Sequence, residues 1–190
     1  WSSDVCSSDL WVLDVPKQLL IPGIEISGPS SQTSMFINGL NPNMEGFRAD
    51  GDLDDNEDAS GHSLEDTVQS AINRKGAVEG NLEYFDETKN KKYVLEEGKL
   101  PFFMHRERGI LLDEYDYLID SKPVCASILD TVLTLMHCGI KQQEKGDYIF
   151  FYLPKLENSN EAKFWREFFD EAVKIIHGLD GDKIKAIMLV

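Results

Sequence analysis

Apolar residues along this chain occur either in short continuous runs or at helical spacing. The runs, which are typical of strands, lie at 23–29, 46–50, 100–105, 148–153 and 183–190. The segments in which apolar positions mainly recur every three or four residues lie at 35–40, 63–73, 126–140 and 160–177. Continuous runs predict buried strands and the recurrent spacing predicts amphipathic helices. The pattern therefore predicts strands and helices in alternation.

Two of these helices have well-marked faces. Ser127 and Asp130 predict a capping box at the start of the helix at 126–140. Its expected buried side consists of Ile128, Leu129, Val132, Leu133, Leu135 and Met136. For the helix at 160–177 the expected buried side consists of Ala162, Trp165, Phe168, Phe169, Ala172, Val173 and Ile176. In the helix at 63–73, Ser63 is a candidate N-cap.

One segment departs from the alternation. Residues 82–85 and 92–95 are two short strand-like runs that flank a polar turn, which predicts a β-hairpin with a long loop. We therefore interpret residues 61–99 as containing an insertion at the surface of the fold.

Nearly continuous apolar strands separated by helices indicate an α/β fold whose parallel sheet is buried on both faces. The order of elements corresponds to about the first five strands of the eight-stranded (β/α)8 barrel, the TIM barrel, which needs about 250 residues in full. The sequence thus predicts an incomplete TIM barrel with a hairpin-containing insertion. Its last strand would be an open edge.

Composition excludes several classes of function. The chain has 190 residues, 42% hydrophobic and 28% charged, with a net charge of −15. Such a charge argues against general binding to nucleic acid or to an anionic membrane, both of which need a basic face. No apolar run approaches the roughly 20 residues that cross a bilayer. Cys125 and Cys138 lack metal-type spacing and are expected to be buried free thiols in a reducing compartment.

Residues 1–10 differ from the rest of the chain. They lack the basic and apolar regions of a signal peptide and resemble translated sequencing-adapter read-through. We therefore expect residues 1–10 to be a non-native leader, and residues 11–190 to be one partial barrel domain.

An acidic stretch follows the second predicted strand, with six acids among the nine residues Asp50 to Asp58. An EF-hand loop is excluded, because Asp55 stands where that loop needs glycine and Gly61 where it needs glutamate. Two interpretations from the residues stay open: a solvated charged loop, or a divalent-ion site in a non-catalytic acidic binding module.

Cationic residues follow two other predicted strands. Arg106 and Arg108 come directly after an apolar run, where they can hold an anion by paired hydrogen bonds or form surface ion pairs. Lys155 follows the strand at 148–153 and can attract a carboxylate or phosphate or remain solvated. The four histidines show no metal-type spacing.

Several segments, taken together and in order, resemble the short (A-type) malate synthases from about Asp14 to the C-terminus. They are Val15 to Pro29, Met35 to Asn41, the D-x-E-D pattern Asp55 to Asp58, Arg106 to Gly109, Ser127 to Asp130, Tyr148 to Glu157 and Ile184 to Val190. Arg106 to Gly109 is similar to the R-P-R-G-W-H motif of that family, with Glu107 for Pro, Ile110 for Trp and Leu111 for His. Ser31 to Ser34 stand where the family has an Arg-Lys pair.

The resemblance implies a reaction and site roles. Acetyl-CoA, glyoxylate and water would give malate and CoA, with Arg106 stabilising the enolate. Asp55, Glu57, Asp58 and Arg108 would support the active site. Lys155 would bind substrate or CoA.

The resemblance also implies a metal ion, a catalytic base and a cellular location for that reaction. In the complete enzyme, Mg²⁺ would be held by a Glu and an Asp, and another Asp would act as base. These groups are expected beyond Val190, so that the chain alone would hold no metal and be inactive. The location would be cytoplasmic, or peroxisomal or glyoxysomal in a eukaryote. A citrate lyase β-like or aldolase-like C–C lyase is the alternative reaction.

Overall fold

The computed structural model describes residues 15–20 and 23–189; the expected leader at 1–10 lies outside them. The helices and strands, in chain order, are β1 (Glu25–Gly28), α1 (Thr33–Leu40), β2 (Gly51–Asp55), α2 (Leu64–Glu79), β3 (Glu83–Asp86), β4 (Lys91–Val94), β5 (Phe102–Arg106), β6 (Asp113–Ile119), β7 (Lys122–Cys125), α3 (Ala126–Thr134), α4 (Ile140–Glu144), β8 (Ile149–Leu153), α5 (Ser159–Ile175) and β9 (Ile184–Met188). A π-helical segment, Leu135–Gly139, joins α3 to α4.

The main sheet contains five parallel strands in the order β1-β2-β5-β8-β9. Each strand therefore pairs with the next one along the chain once the hairpins are set aside. The fold is α/β, and this sheet is an incomplete (β/α)8 barrel, as predicted. In register, Asp55 pairs with Arg106 and His105 with Phe151. The carboxyl ends of β2 and β5 consequently lie side by side.

Two apolar clusters hold the helices on the sheet. One is centred on Phe36 of α1 and Phe103 of β5, whose rings are 6.4 Å apart. The other joins β8 to α5, where the Phe151 and Phe169 rings are 5.2 Å apart and Trp165 is fully buried. Aromatic burial of this size supplies much of the stability of a small core. The predicted face of α5 is thus confirmed at Trp165, Phe169 and Ala172.

The second strand is not at 46–50, as predicted, but at Gly51–Asp55, inside the acidic stretch. Asp50 ends the preceding loop, because its backbone N–H and its carboxylate both bond the backbone of Ile24. Gly51 is the first strand residue, and a Cβ there would lie 2.8 Å from the tip of the Phe102 ring, so that the ring would have to shift. The sequence pattern missed the strand because Asp52 and Asp54 occupy its helix-facing positions, where apolar residues are the norm.

The buried side of α3 is also different from the prediction. Leu135, just after α3, is buried as predicted, but the fully buried residues of α3 itself are Ala126, Ser127, Asp130, Thr131 and Thr134, and Met136 is exposed. No capping box forms, because Cys125 is the N-cap without a side-chain bond and Asp130 binds Arg108 instead. The helix faces ionic partners from the loop after β5, and its polar side is therefore the inward one.

Two hairpins extend from the sheet. The predicted one is present as β3 and β4, antiparallel. A second, β6 with β7, follows the Arg106 region and was not predicted. It turns at Asp120 and Ser121, both with positive φ of 50° and 63°, a turn conformation whose usual signature is Asn-Gly. Between β2 and β3, α2 begins at the predicted cap, since Ser63 Oγ accepts the Asp66 N–H at 3.1 Å.

Candidate active site

The carboxyl ends of β2 and β5 bring one arginine and three acids together. Arg106, the last residue of β5, donates to Asp55 at 3.1 Å and to Asp58 at 2.7 Å, and also contacts the Glu57 carboxylate. Burial opposes its charge, but the acids Asp55, Glu57 and Asp58 outweigh this and raise the pKa of Arg106. The side chain is 12% exposed, so that one edge still reaches solvent.

Asp55 shapes the turn that carries the other two acids. Its Oδ1 accepts the backbone N–H groups of Glu57 at 2.8 Å and Asp58 at 2.9 Å. This side-chain turn redirects the chain as β2 ends, and it brings Glu57 and Asp58 back to the guanidinium. The hydrogen bond from Arg106 is the main reason that the pKa of Asp58 is lowered.

Lys155 joins this group from the end of β8. Its Nζ contacts the Glu57 carboxylate and lies 3.7 Å from Asp58 Oδ1. The bond to Glu57 is the main cause that raises the pKa of Lys155. Its backbone has a φ of +53°, a left-handed conformation that costs energy for a residue other than glycine. The side chain is 59% exposed and can reach a ligand at the strand ends.

One donor of Arg106 is not used within the described residues. Its Nε is buried and has no hydrogen-bond partner there. The guanidinium also lies 5.9 Å from the centre of the Tyr152 ring, on the neighbouring strand β8. A buried, fixed, unpaired N–H is the kind of group that can stabilise negative charge on a reacting oxygen.

Arg108 does not share an anion with Arg106. It is buried, and it donates to Asp130 of α3 at 2.8 and 3.0 Å and to Glu114 of β6 at 2.8 Å. A further bond reaches the His62 carbonyl at 3.2 Å. These bonds tie the loop after β5 to α3 and to the second hairpin. The interpretation of the two arginines as one anion-binding fork is therefore wrong.

Sequence reasoning missed a buried ionic cluster behind these residues, on the helix side of the sheet. Arg74 of α2 contacts the Asp54 carboxylate and donates to Glu107 at 2.8 Å. His105 Nδ1 lies 2.7 Å from Asp54 Oδ2, and its Nε2 lies 3.3 Å from Gln142. The helix pattern is equally compatible with Arg74 as a solvent-facing residue, so no signal in the sequence identified it as buried.

Burial raises the pKa values of two carboxyl groups on the helix side of the sheet, Glu107 and Asp52. It is the main cause that raises the pKa of Glu107, and Arg74 opposes it. Burial, and secondly the charge of Asp54, raises the pKa of Asp52 well above its ordinary value. Asp52 Oδ2 has no hydrogen-bond partner in the described residues. The acidic stretch is therefore neither a solvated loop nor an open cation site at Asp52 and Asp54.

Comparison with known proteins decides the family. The family model for the malate synthase TIM barrel domain matches residues 102–190. Over 184 residues, 95% of the chain, it is 36% identical to the glyoxysomal malate synthase of Brassica napus. It is 35% identical to the glyoxysomal malate synthase of Raphanus sativus over 193 residues and to the malate synthase of Arabidopsis thaliana over 179. The chain belongs to the malate synthase family. It spans about a third of these relatives, 30–31% of their length.

The metal implied by the family is not accommodated by the residues described here. No group of three or more His, Cys, Asp or Glu side chains in residues 15–20 and 23–189 is arranged to hold a metal ion. The acids around Arg106 are already bound by Arg106 and Lys155. We therefore derive no catalytic step through Mg²⁺. Across the same residues, no helix is both long and apolar enough to span a membrane.

Proposed function

We propose that this chain provides the arginine-bearing part of a malate synthase active site. The reaction is the condensation of acetyl-CoA with glyoxylate, followed by hydrolysis to malate and CoA. The observation that supports this most is Arg106. It lies at a strand's carboxyl end, is held by three carboxylates, and keeps its Nε–H unpaired among the described residues. In α/β barrels the chemistry takes place at this end of the strands.

Arg106 has the properties needed to stabilise an enolate. Loss of a methyl proton from acetyl-CoA places negative charge on the thioester oxygen, and a fixed cationic donor next to that oxygen lowers the barrier. Asp55, Glu57 and Asp58 hold the guanidinium in one orientation. Each of these acids is itself paired with a cation and serves to orient Arg106. We therefore assign none of them to proton removal.

Lys155 is proposed to bind an anionic group of the substrates. Its ammonium is more than half exposed and at present contacts Glu57. The carboxylate of glyoxylate or a phosphate of CoA can take over part of this pairing, because a lysine ammonium is a flexible point charge. Mg²⁺ belongs to this proposal only as a cofactor that the family implies for the longer enzymes. If the source is a eukaryote, the names of the glyoxysomal relatives favour a peroxisome-type compartment.

A chimera tests the proposal. Residues 11–190 replace the matching third of the Brassica napus relative, and the product is assayed for thiol release from acetyl-CoA that depends on glyoxylate. We expect malate and CoA in equal amounts. A folded chimera that releases no thiol contradicts the proposal, and accumulation of malyl-CoA without thiol release indicates the lyase instead. If the chimera is insoluble, the chain is co-expressed with the remaining two thirds of the relative, and the same outcomes apply.

A further inference from the structure

The residues on both sides of Arg106 point away from it, into the buried ionic cluster. His105 and Glu107 are both fully buried, while Arg106 reaches the strand ends. This alternation follows from strand geometry, in which successive side chains point to opposite faces. The direction of Arg106 therefore depends on how firmly its two neighbours are held.

Glu107 is held by groups from three different elements. Its carboxylate accepts bonds from Arg74 of α2 at 2.8 and 3.0 Å and from the Thr134 hydroxyl of α3 at 2.6 Å. The Asn56 side chain, from the turn after β2, donates to it at 3.4 Å. Thr134 in turn accepts a bond from Arg74 at 2.9 Å, so that the donors are fixed relative to one another.

The Asn56 contact connects the two turns that form the candidate site. Asn56 lies between Asp55 and Glu57, two of the acids that bind Arg106. Its backbone N–H donates to the Arg106 carbonyl at 2.9 Å, while its side chain reaches Glu107. A shift of Glu107 would thus move both Arg106 and the acids that orient it.

We propose that Glu107, anchored by Arg74 and Thr134, is a positioning residue for Arg106. It replaces a proline in the motif that this segment resembles. A proline fixes φ at about −65° through its ring. Glutamate has no such constraint, and here its fully bonded side chain restricts the loop. The inference rests on the proposed function, because the orientation of Arg106 matters only if Arg106 meets the reacting atoms.

The kinetic test uses Glu107→Gln in the chimera, a change of nearly equal size that removes the charge. A displacement of about 1 Å at a catalytic group can cost about 10²-fold in rate. We expect kcat to fall by tenfold to 10²-fold, with little change in KM for acetyl-CoA. The matched control is Glu167→Gln, an exposed partner of Lys163 on α5, which leaves kcat unchanged.

Dependence on Arg106 separates positioning from a general loss of structure. If Glu107 acts through Arg106, Glu107→Gln has little further effect on kcat in the Arg106→Lys background. Leu179→Ala, a core change near Ile149 at the amino end of β8, opposite to the site, lowers stability and leaves kcat per folded molecule unchanged. Additive effects of Glu107→Gln and Arg106→Lys overturn the proposal.

A combined variant covers the case in which Glu107→Gln does not fold. Glu107→Pro alone leaves Arg74 without one of its acids, which is costly in a buried site. Glu107→Pro combined with Arg74→Met and Asp54→Asn removes the three buried charges together. We expect this combined variant to recover most of the kcat that Glu107→Pro loses. A combined variant no better than the single one contradicts the anchoring of Glu107 by Arg74.

A spectroscopic readout distinguishes failure of this inference from failure of the proposed function. In the ¹⁵N-labelled 190-residue chain, the Nε–Hε signal of Arg106 should shift or broaden in Glu107→Gln, and that of exposed Arg166 should not. The comparison of these two signals can be made even if the chimera makes no malate. An unchanged Arg106 signal overturns the positioning role, whatever the activity.

Discussion

At the scale of single residues, surroundings decide what a side chain does. Arg106 and Arg108 are two positions apart and chemically identical. Arg108 is surrounded by Asp130, Glu114 and a carbonyl, and all of these bonds hold the loop in place. Arg106 keeps an exposed edge at the strand ends, and its Nε has no partner among the residues that the structure describes. Arg108 therefore stabilises the fold, and of the two arginines only Arg106 can meet a substrate.

Cys138 should be an unreactive thiol in the native chain. It is fully buried in the α1–α2 cluster, and burial raises its pKa to about 12. The thiolate, which is the reactive form, is then essentially absent at pH 8. Alkylation at pH 8 followed by peptide mass spectrometry should label Cys138 only after denaturant is added. Labelling of native Cys138 as fast as that of half-buried Cys125 would contradict its placement.

Asp52→Asn should stabilise the chain, and more so at higher pH. Because burial raises the pKa of folded Asp52, the folded state keeps a proton that the unfolded state loses above about pH 4. The free energy of unfolding of the parent chain therefore falls by about 1.4 kcal/mol per pH unit between the unfolded and folded pKa values. Asparagine is neutral throughout and avoids this loss.

Urea denaturation of both proteins at pH 5 and pH 8 measures the difference. The stability advantage of the Asn variant over the parent chain should be larger at pH 8 than at pH 5. Asp116→Asn, at an exposed position of β6, is the matched control and should show no such trend. If the difference in free energy of unfolding between the Asn variant and the parent chain is the same at both pH values, Asp52 lies in water rather than in the core.

At the scale of elements, the apolar pattern predicted the helices and strands that pack through apolar side chains. It predicted β8, α5 and the β3–β4 hairpin correctly. In β8 and α5, Phe151, Trp165 and Phe169 pack as their spacing indicates. It failed at β2 and α3, where Asp52, Asp54, Asp130 and Thr134 face inward. A buried acid needs a partner that is distant in sequence, such as Arg74 for Glu107 across 33 positions, and periodicity carries no information about such pairs.

The same limit applied to the candidate site. The motif resemblance selected Arg106, Asp55, Glu57, Asp58 and Lys155, and the strand ends bring all five together. Their mutual pairing and the buried ionic cluster behind Arg106 depend on tertiary contacts. Local pattern could not supply these contacts.

Packing of α5 on β8 can be tested with one substitution. Trp165→Ala removes a fully buried indole, and large-to-small changes of this kind cost about 3–5 kcal/mol. Ile175→Ala, on the same helix but 73% exposed, should change stability by less than about 0.5 kcal/mol. Urea midpoints of the two variants measure this contrast, and equal midpoints would mean that α5 does not pack through Trp165.

At the scale of the whole molecule, five parallel strands align their carboxyl ends at one side of the sheet. Strands that follow one another along the chain are neighbours in this sheet. Residues that are distant in sequence, such as Asp55 and Arg106, 51 positions apart, therefore become register partners. Arg106, its acids and Lys155 thus come from three adjacent strands. We propose that this edge of the sheet stabilises the enolate of acetyl-CoA in a malate synthase reaction.

The most direct measurement is kcat of the chimera with Arg106→Lys, compared with Arg166→Lys. Lysine keeps the charge but loses the planar fork and the Nε–H. Removal of one oxyanion donor typically costs 10²- to 10³-fold in kcat, and we expect a loss of about 10²-fold or more. Arg166 forms an exposed pair with Asp170, and its substitution should leave kcat unchanged. Equal kcat values for the two variants would contradict the assignment of Arg106 and the account of this site.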